Sequence, residues 1–225
     1  MKNALYTFPL LLSFAAPLSI AADAVGTPSG PWHALLQSNG APDWRGWKQP
    51  ALPAGWRVAD GVLSKDGSVD DLVTTQSFGN FELELEWKIG KGGNSGIFYR
   101  GTREYDDIYW SAPEYQLEND KDGLNPLTAT GSDYDLYGVT ENVVRPYDHW
   151  NTTRIVVNGT HVEHWLNGKK VVEYELGSAD WKQRVAASKF AAYPHYGLAS
   201  SGLIGIQGDH SGALAIRNMR IRELK

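Results

Sequence analysis

FELELEWKI, residues 81–89, decides the fold class of this chain. Its odd-numbered positions hold Phe, Leu, Leu, Trp and Ile, and its even-numbered positions hold Glu, Glu, Glu and Lys. Side chains alternate between the two faces of a β-strand, so the pattern predicts a strand with one face in the core and one in water. An amphipathic helix would instead repeat its apolar residues every three or four positions.

Three more strand-like runs follow in RIVVNGTHVEHWLNGKKVVEY, residues 154–174. Asn158-Gly159 and Asn167-Gly168 separate these runs. Asn-Gly pairs supply the positive φ that tight hairpin turns require. We therefore predict a three-stranded antiparallel meander in this part of the chain.

The C-terminal end predicts two further strands, GLIGIQG at 202–208 and ALAIRNMRIREL at 213–224. In the second run the apolar residues move from even to odd positions near Arg217-Asn218. An alternation that changes phase inside one strand indicates an extra residue on that strand. A β-bulge is therefore expected at this point.

Helix signals are scarce. The one good candidate is ADWKQRVAASKF, 179–190, where Asp180 is the predicted N-cap and Gln183 the reciprocating side chain. Many antiparallel strands, one short helix and long loops at 101–113 and 119–150 predict an all-β, two-sheet jelly-roll sandwich. Long loops in a compact domain usually carry function.

Composition limits the classes of ligand. The chain has a formal net charge of −5 and no long run of Lys or Arg, which makes nucleic acid and anionic membrane surfaces poor partners. Nine Trp and eleven Tyr outnumber six Phe. Aromatic rings with a polar group suit sites that are partly apolar and partly wet, such as sugar sites, although most Trp in a sandwich belong to the core.

The N-terminus has the order of a signal peptide: one Lys, an apolar run, then small residues. We predict a signal peptide at 1–22, followed by a single β-sandwich domain at 23–225. The apolar run is too short to span a bilayer. The chain has no cysteine, so it forms neither disulfides nor a lipid-anchored cysteine. The expected location is periplasmic or secreted.

PEYQLEND, residues 113–120, places Glu114, Gln116 and Glu118 on one face of a predicted strand. An ordinary polar outer face would show the same pattern. Jelly-roll glycosidases keep two working carboxylates on such a strand, with an Asp between them that separates their charge states. Here the middle residue is an amide, which cannot set those pKa values in the same way.

Two other segments carry candidate chemistry. Arg100 lies at the end of GGNSGIFYRG, where a guanidinium on the ligand-facing side of a sheet could bind sugar hydroxyls or a carbonyl. His210, in GIQGDHSG, is an imidazole at a strand end, and it could move protons near neutral pH. His161 and His164 are three apart on a strand, so they point to opposite faces and cannot easily share a metal.

Taken in order, these segments resemble the 3-keto-disaccharide hydrolase family, also described as 3-keto-glucoside 1,2-lyase and 3-keto-2-hydroxy-glucal hydratase domains. The resemblance runs from about Trp47 to Leu224. Its segments are FELELEWKI, GGNSGIFYRG, PEYQLEND, the Tyr-Asp-Leu of GSDYDLYG, HWN, VEHWLNGKKV and the C-terminal tail from SKF onward. It implies a concanavalin A-like lectin/glucanase type of sandwich.

The resemblance also implies an activity: cleavage of glycosides already oxidised at C3 of the sugar ring. A C3 ketone acidifies the C2 proton, so the C1 substituent leaves by elimination, and water then adds to the 2-hydroxy-glucal. Such a site needs a base, an acid for the leaving oxygen, and donors or a metal for the enolate oxygen. Partners implied are a 3-keto-sugar or glycoside substrate and an upstream sugar 3-dehydrogenase.

By resemblance, the catalytic candidates are Glu114 and His210 as acid and base, in an order left open, and Arg100 on the keto or enolate oxygen. The substrate-binding candidates are Gln116, Tyr134, Lys189 and Trp165. A divalent metal ion is a candidate cofactor with no ligands assigned. The family often has an Asp where this chain has Asn119, and a carboxylate follows only at Asp120.

Two other functions stay open. One is a non-catalytic, lectin-like carbohydrate-binding module, since fold does not determine function. The other is a retaining glycosidase. An acid, a base and a cation that converge on one face would favour the enzyme over the lectin.

Overall fold

The computed structural model describes residues 27–28, 30–118 and 125–225. The predicted signal peptide at 1–22 lies outside these residues. The strands, in chain order, are β1 His33–Ala34, β2 Trp44–Gly46, β3 Arg57–Ala59, β4 Val62–Lys65, β5 Leu72–Phe78, β6 Phe81–Ile89, β7 Asn94–Gly101, β8 Glu114–Glu118, β9 Asn151–Asn158, β10 His161–Leu166, β11 Lys169–Glu175, β12 Gly202–Ile206 and β13 Leu214–Glu223. The helices are α1 Ala179–Ala186 and two 3-10 turns, Ile108–Trp110 and Lys189–Ala192.

The strands form two sheets. The larger sheet has the order β11-β10-β9-β6-β13-β4-β3, with β1 paired to β13. The smaller sheet has the order β2-β5-β12-β7-β8, which leaves β8 at its edge. Neighbouring strands in both sheets are antiparallel. The prediction of an all-β, two-sheet fold with one short helix is confirmed.

The core lies between the sheets, and β6 supplies much of it. Phe81, Leu83 and Trp87 have no exposed surface. They belong to one buried cluster with Tyr99 of β7 and Tyr115 of β8. Burying a large apolar side chain stabilises the fold by about 1.5–3 kcal/mol. The odd-numbered residues of FELELEWKI therefore lie in the core, as their alternation predicts.

The even face of β6 pairs with arginines of the adjacent strands. Glu84 binds Arg220 at 2.6 Å and Glu86 binds Arg217 at 2.7 Å. Glu82 lies between two guanidinium groups, those of Arg154 and Arg222. Glu82 is only 3% exposed, so this end of the predicted water-facing side is covered by its own ion pairs.

The meander and the bulge are both confirmed. Strands β9, β10 and β11 pair consecutively. The turn residues Gly159, Asn167 and Gly168 have φ values of 63°, 50° and 81°. The pairing of β13 with β6 shifts register between Arg217 and Arg220, and Asn218 has a φ of 52°.

The helix is shorter than the predicted 179–190 and its cap differs. Ser178 is the N-cap, and its hydroxyl accepts a hydrogen bond from the Trp181 backbone N–H at 3.0 Å. Asp180 is instead in the first turn, where it binds Arg184 at 2.9 Å. After Ala186 the chain continues into the 3-10 turn that begins at Lys189.

Candidate functional site

The outer face of the smaller sheet carries the candidate site, and β8 positions its carboxyl group. Tyr115 and Leu117 point into the core between the sheets. By alternation, Glu114 and Gln116 point to the opposite face. Gly96 lies opposite Gln116 on β7, and a Cβ at this position would be 2.1 Å from Glu114 Oε1. The glycine of Asn-Ser-Gly therefore makes room for the Glu114 carboxyl.

A cavity of about 300 Å³ lies over this face. Five residues that the sequence predicts for the site line it together, on four separate parts of the chain. They are Glu114, Gln116, Tyr134, Lys189 and His210. The other described lining residues are Asn94, Tyr109, Trp110, Phe190, Gln207 and Asp209. A cavity of this size with aromatic walls and a few polar groups is typical of small-molecule sites.

Glu114 is 7% exposed, and no arginine, lysine or histidine lies within ion-pair distance of it in the described chain. Burial raises the pKa of Glu114 to about 8, and the more distant Lys189 ammonium opposes this rise. With its amide nitrogen turned inward, Gln116 donates to the Ser95 carbonyl at 3.0 Å and to Glu114 Oε1 at 3.2 Å. Glu114 is therefore a protonated acid at neutral pH.

Lys189 opens the second 3-10 turn. Its Nζ lies 4.5 Å from the centre of the Tyr134 ring and 5.2 Å from that of Phe190. Cations over aromatic faces at such distances are attracted to the ring. The two rings therefore hold an ammonium group against the cavity without neutralising it.

Asp209 and His210 close the cavity from the loop between β12 and β13. Their side chains are 52% and 47% exposed, and His210 Nε2 lies 3.8 Å from Asp209 Oδ1. The imidazole is thus open to solvent and to a ligand, as its position among glycines predicts. Gln207, three residues before it, is 6% exposed and lines the same cavity.

Arg100, predicted to bind the keto oxygen, is not among the lining residues of this cavity, and its guanidinium has other partners. Its guanidinium donates to the Gly79 carbonyl at 3.0 Å and to Asn80 Oδ1 at 3.3 Å. The backbone of Arg100 has a φ of 53°, outside strand geometry. The alternation that placed this side chain beside the site therefore ends at Arg100 itself.

Trp165 is also elsewhere. It lies on β10 of the larger sheet, where its indole N–H donates to Glu163 at 2.8 Å and its ring stacks with Arg154. Because the outer faces of two packed sheets point in opposite directions, Trp165 cannot share a cavity with Glu114. The structure therefore places Trp165 outside the cavity where the sequence predicted it to bind substrate.

The remaining expectations concern metal binding. Asn119 and Asp120 lie outside the described residues. His164 is buried in the core, bonded to Tyr99 and to the Gly131 carbonyl, whereas His161 is on the outer face, so the two do point to opposite sides. Within residues 27–28, 30–118 and 125–225, one trio could offer ligands together: His161, Glu163 and Glu173. Lys170 already bridges its two carboxylates at 3.1 and 2.9 Å.

Sequence reasoning missed Tyr109 and Trp110, which come from the first 3-10 turn. Both lie in the 101–113 loop. The Trp110 ring stacks on Tyr193 with a centre distance of 4.2 Å. A Tyr-Trp pair in a long loop was the available signal, since large aromatic rings there need a partner or a ligand.

Comparison with known proteins places these features in a family context. Residues 31–222 match the model of the 3-keto-alpha-glucoside-1,2-lyase-like domain. A 3-keto-disaccharide hydrolase of Bacteroides thetaiotaomicron is 35% identical over 216 residues, which cover 80% of this chain and 74% of that protein.

Solved structures agree. A candidate glycosyl hydrolase from Parabacteroides distasonis ATCC 8503 superposes with a TM-score of 0.80 at 33% identity, over 86% of this chain and 94% of that chain. A second from the same organism has a TM-score of 0.68 at 27% identity, over 87% and 100%. A Bacillus subtilis protein with a galectin-like fold has a TM-score of 0.51 at 10% identity, over 88% and 97%, and shows the fold alone. The concanavalin-like, lectin-type sandwich is confirmed.

Proposed function

Because this chain belongs to the 3-keto-disaccharide hydrolase family, a family of carbohydrate hydrolases, we propose that it cleaves 3-keto-glycosides by elimination followed by hydration. The observation that carries the proposal is the buried Glu114, whose carboxyl group is protonated at neutral pH in a cavity shared with an ammonium and an imidazole. Such a site has an acid, a cation and a base in separate side chains.

The chemistry divides into two steps. In the first, a base removes the C2 proton, the electron pair moves onto the C3 oxygen as an enolate, and the C1–O bond breaks as the leaving oxygen takes a proton from an acid. The products are the enone of 2-hydroxy-glucal and a free alcohol or sugar. In the second, water adds to C1 and a proton returns to C2, which gives net hydrolysis to the 3-keto sugar.

Protonation assigns the roles. Glu114 carries a proton below about pH 8, so it is the acid that protonates the leaving oxygen. His210, whose half-exposed imidazole lines the same cavity, takes the C2 proton. Lys189 replaces Arg100 as the cation at the enolate oxygen, since it is the ammonium that lines the cavity.

A retaining glycosidase fits this site less well. That mechanism needs an ionised carboxylate nucleophile about 5–5.5 Å from the acid. Two residues along β8 from Glu114 stands the neutral amide of Gln116. Asp209, the other carboxylate among the described lining residues, is half exposed on a loop.

The decisive experiment uses a 3-keto disaccharide and its unoxidised parent, with the reaction run in D₂O. We expect a transient enone absorbance, turnover of the keto sugar only, and deuterium at C2 of the first product molecules. Free 3-keto-glucose incubated in D₂O without the protein corrects for spontaneous exchange at C2. Hydrolysis of the unoxidised sugar would support the glycosidase, and binding without turnover would support the lectin-like module.

Export and supply are part of the same proposal. The sequence pattern at 1–22 supports a cleaved signal peptide and a periplasmic or secreted enzyme. Among the helices of the described residues, none is long and apolar enough to cross a membrane. The proposal also requires a sugar 3-dehydrogenase, because the substrate must already carry the C3 ketone. N-terminal sequencing of protein recovered from the periplasm tests the export: a chain that still begins at Met1 contradicts it.

A further inference from the structure

Lys65, the last residue of β4, is a buried lysine, and its hydrogen-bond partners among the described residues are all backbone oxygens. The residue is 4% exposed. Its ammonium donates to the carbonyls of Gly67 at 3.1 Å, His210 at 2.7 Å and Gly212 at 3.4 Å. Two of these three carbonyls belong to the loop that carries the imidazole of the proposed site.

The neighbours of Lys65 bind the same loop. The Ser68 hydroxyl donates to the Asp209 carbonyl at 2.6 Å, and the Val69 N–H donates to the Gly208 carbonyl at 2.9 Å. The Gly208 N–H in turn donates to Asp71 Oδ1 at 2.7 Å. Segment 65–71 therefore holds four of the five residues of segment 208–212 by their main chain.

The two glycines that flank His210 in this loop pack closely against neighbouring backbone. A Cβ at Gly208 would lie 2.6 Å from the Asp70 carbonyl oxygen. A Cβ at Gly212 would lie 2.6 Å from Gly93 Cα, and the φ of Gly212 is +91°. Side chains cannot be added at these glycines without moving the loop. The path of the loop is thus set by backbone contacts on both sides of His210.

The electrostatics of Lys65 agree with this role. Burial lowers its pKa, and the carboxylates of Asp209, Asp71 and Asp66 oppose that effect. A buried ammonium needs acceptors, and hydrogen bonds from a charged donor are stronger than those between neutral groups. Without the ammonium, the three carbonyls would lose their shared donor.

We propose that Lys65 is a positioning residue that fixes the main chain of His210 and so sets where its imidazole stands relative to Glu114. Lys65 does not line the Glu114 cavity, so it acts through the loop and not on the substrate. The role in catalysis rests on the proposed function, since that is what assigns His210. The anchoring of the loop does not.

The chain has no cysteine, which permits a clean substitution of the amine. Lys65→Cys is alkylated in denaturant with 2-bromoethylamine, which rebuilds a lysine-length amine, or with iodoethane, which rebuilds the side chain as far as the Cε position and leaves out the amine. Wild-type protein passes through both treatments. We expect the ethylated protein to lose about 10- to 100-fold in kcat against a 3-keto disaccharide, with KM changed less than about threefold, because small misplacements of catalytic groups cost this much. The aminoethylated protein should recover most of kcat.

Hydrogen exchange separates the anchoring from the activity. Peptides that cover 207–213 should exchange faster in the ethylated protein than in the aminoethylated one, whether or not the substrate is turned over. Asn151→Leu is the matched control, since Asn151 is fully buried and bonds Arg145, Asn167 and His149. It should lower the melting temperature without changing exchange at 207–213 or kcat.

If the Lys65 variants do not refold, the Ser68→Ala variant tests the anchoring of the loop in their place. Ser68 is a smaller, exposed anchor of the same loop, and the loss of its hydroxyl should speed exchange at 207–213 and lower kcat severalfold. If peptides 207–213 exchange at the wild-type rate in Ser68→Ala or in the ethylated protein, the anchoring is overturned. Faster exchange with full kcat would overturn the positioning role. An inactive wild type with the exchange difference intact would instead refute the proposed function alone.

Discussion

Two glutamates on outer sheet faces, Glu82 and Glu114, are almost equally buried but have opposite surroundings. Glu82, on β6 of the larger sheet, is 3% exposed and bonded by the guanidinium groups of Arg154 and Arg222. Glu114, on β8 of the smaller sheet, is 7% exposed and has the amide of Gln116 as its near neighbour. On the larger sheet two guanidinium groups neutralise the Glu82 carboxylate, whereas on the smaller sheet no cation is bonded to the Glu114 carboxyl.

The difference shows how one residue type serves stability on one sheet and chemistry on the other. A carboxylate buried between cations is a structural ion pair, whereas a carboxyl buried beside an amide keeps its proton to an unusually high pH. Burial alone therefore does not identify a functional carboxyl. Glu114 differs from Glu82 in two respects together: it has no cation within bonding distance, and it lines a cavity.

Glu114→Gln should have the largest effect. Removing the acid should lower kcat about 10³- to 10⁴-fold against a 3-keto disaccharide, the upper range for general acid–base catalysis. Stability should change in the other direction. Because the folded pKa of Glu114 lies above its unfolded value, this residue weakens the fold progressively as the pH rises from about 4.5 to about 8. Glu114→Gln should therefore melt at a higher temperature than wild type at pH 9, and differ less at pH 5; equal melting temperatures at pH 9 would contradict the account.

Gly96→Ala should come next. Its Cβ would meet Glu114 Oε1 at 2.1 Å, so the carboxyl must turn away from its place in the cavity. We expect a loss of about 100-fold in kcat, since displaced catalytic groups lose orientation. Gly30→Ala is the control, because a Cβ there has nothing within 4 Å. Equal activities of the two variants would show that the position of Glu114 is unimportant.

Lys189→Met should lower kcat about tenfold or more, because it removes the cation assigned to the enolate oxygen. It has a second effect that a structural role would not produce. The Lys189 ammonium lowers the pKa of Glu114, so its loss should move the alkaline limb of the pH–rate profile to higher pH. An alkaline limb at the wild-type pH would show that the charge of Lys189 does not affect the pKa of Glu114.

Glu82→Gln should have the smallest effect on activity and a clear effect on stability. It leaves two guanidinium groups without their carboxylate, and breaking a buried ion pair costs about 3–5 kcal/mol, less where the partners are partly exposed as here. We expect a lower midpoint of denaturant unfolding with kcat within about twofold of wild type. A large loss of kcat in a folded Glu82→Gln protein would break the division between the two faces.

Most of the fold could be predicted from the sequence because its signals are local. The alternation in FELELEWKI, the Asn-Gly turns and the phase shift at Arg217-Asn218 each report the geometry of adjacent residues. The helix cap was missed because Ser178 and Asp180 are both good caps. The structure distinguishes them, because Ser178 accepts the Trp181 N–H whereas Asp180 binds Arg184 and Tyr137.

The site could be predicted in part. Resemblance to a family gave Glu114, Gln116, Tyr134, Lys189 and His210, which line one cavity. Arg100 was misplaced because a φ of 53° interrupts the alternation on which its prediction depended. Trp165 was misplaced because strand pairing, which assigns β10 to the other sheet, is not local.

Lys65 could not be found from the sequence at all. Its partners are the carbonyl oxygens of residues 67, 210 and 212. Every residue has a backbone carbonyl, so these partners leave no signal in the sequence. Only the pairing of β4 with β13, which brings the loop before β13 beside the end of β4, creates the contact.

The most direct test of the central claim is the pH dependence of kcat/KM with a 3-keto disaccharide between pH 6 and pH 10, corrected for the reaction without enzyme. If Glu114 acts as the acid, kcat/KM should fall above about pH 8 with a slope of one proton, and this limb should be absent from the residual activity of Glu114→Gln. A rate that rises through pH 8 would contradict the account, because it would mean that Glu114 works in its ionised form.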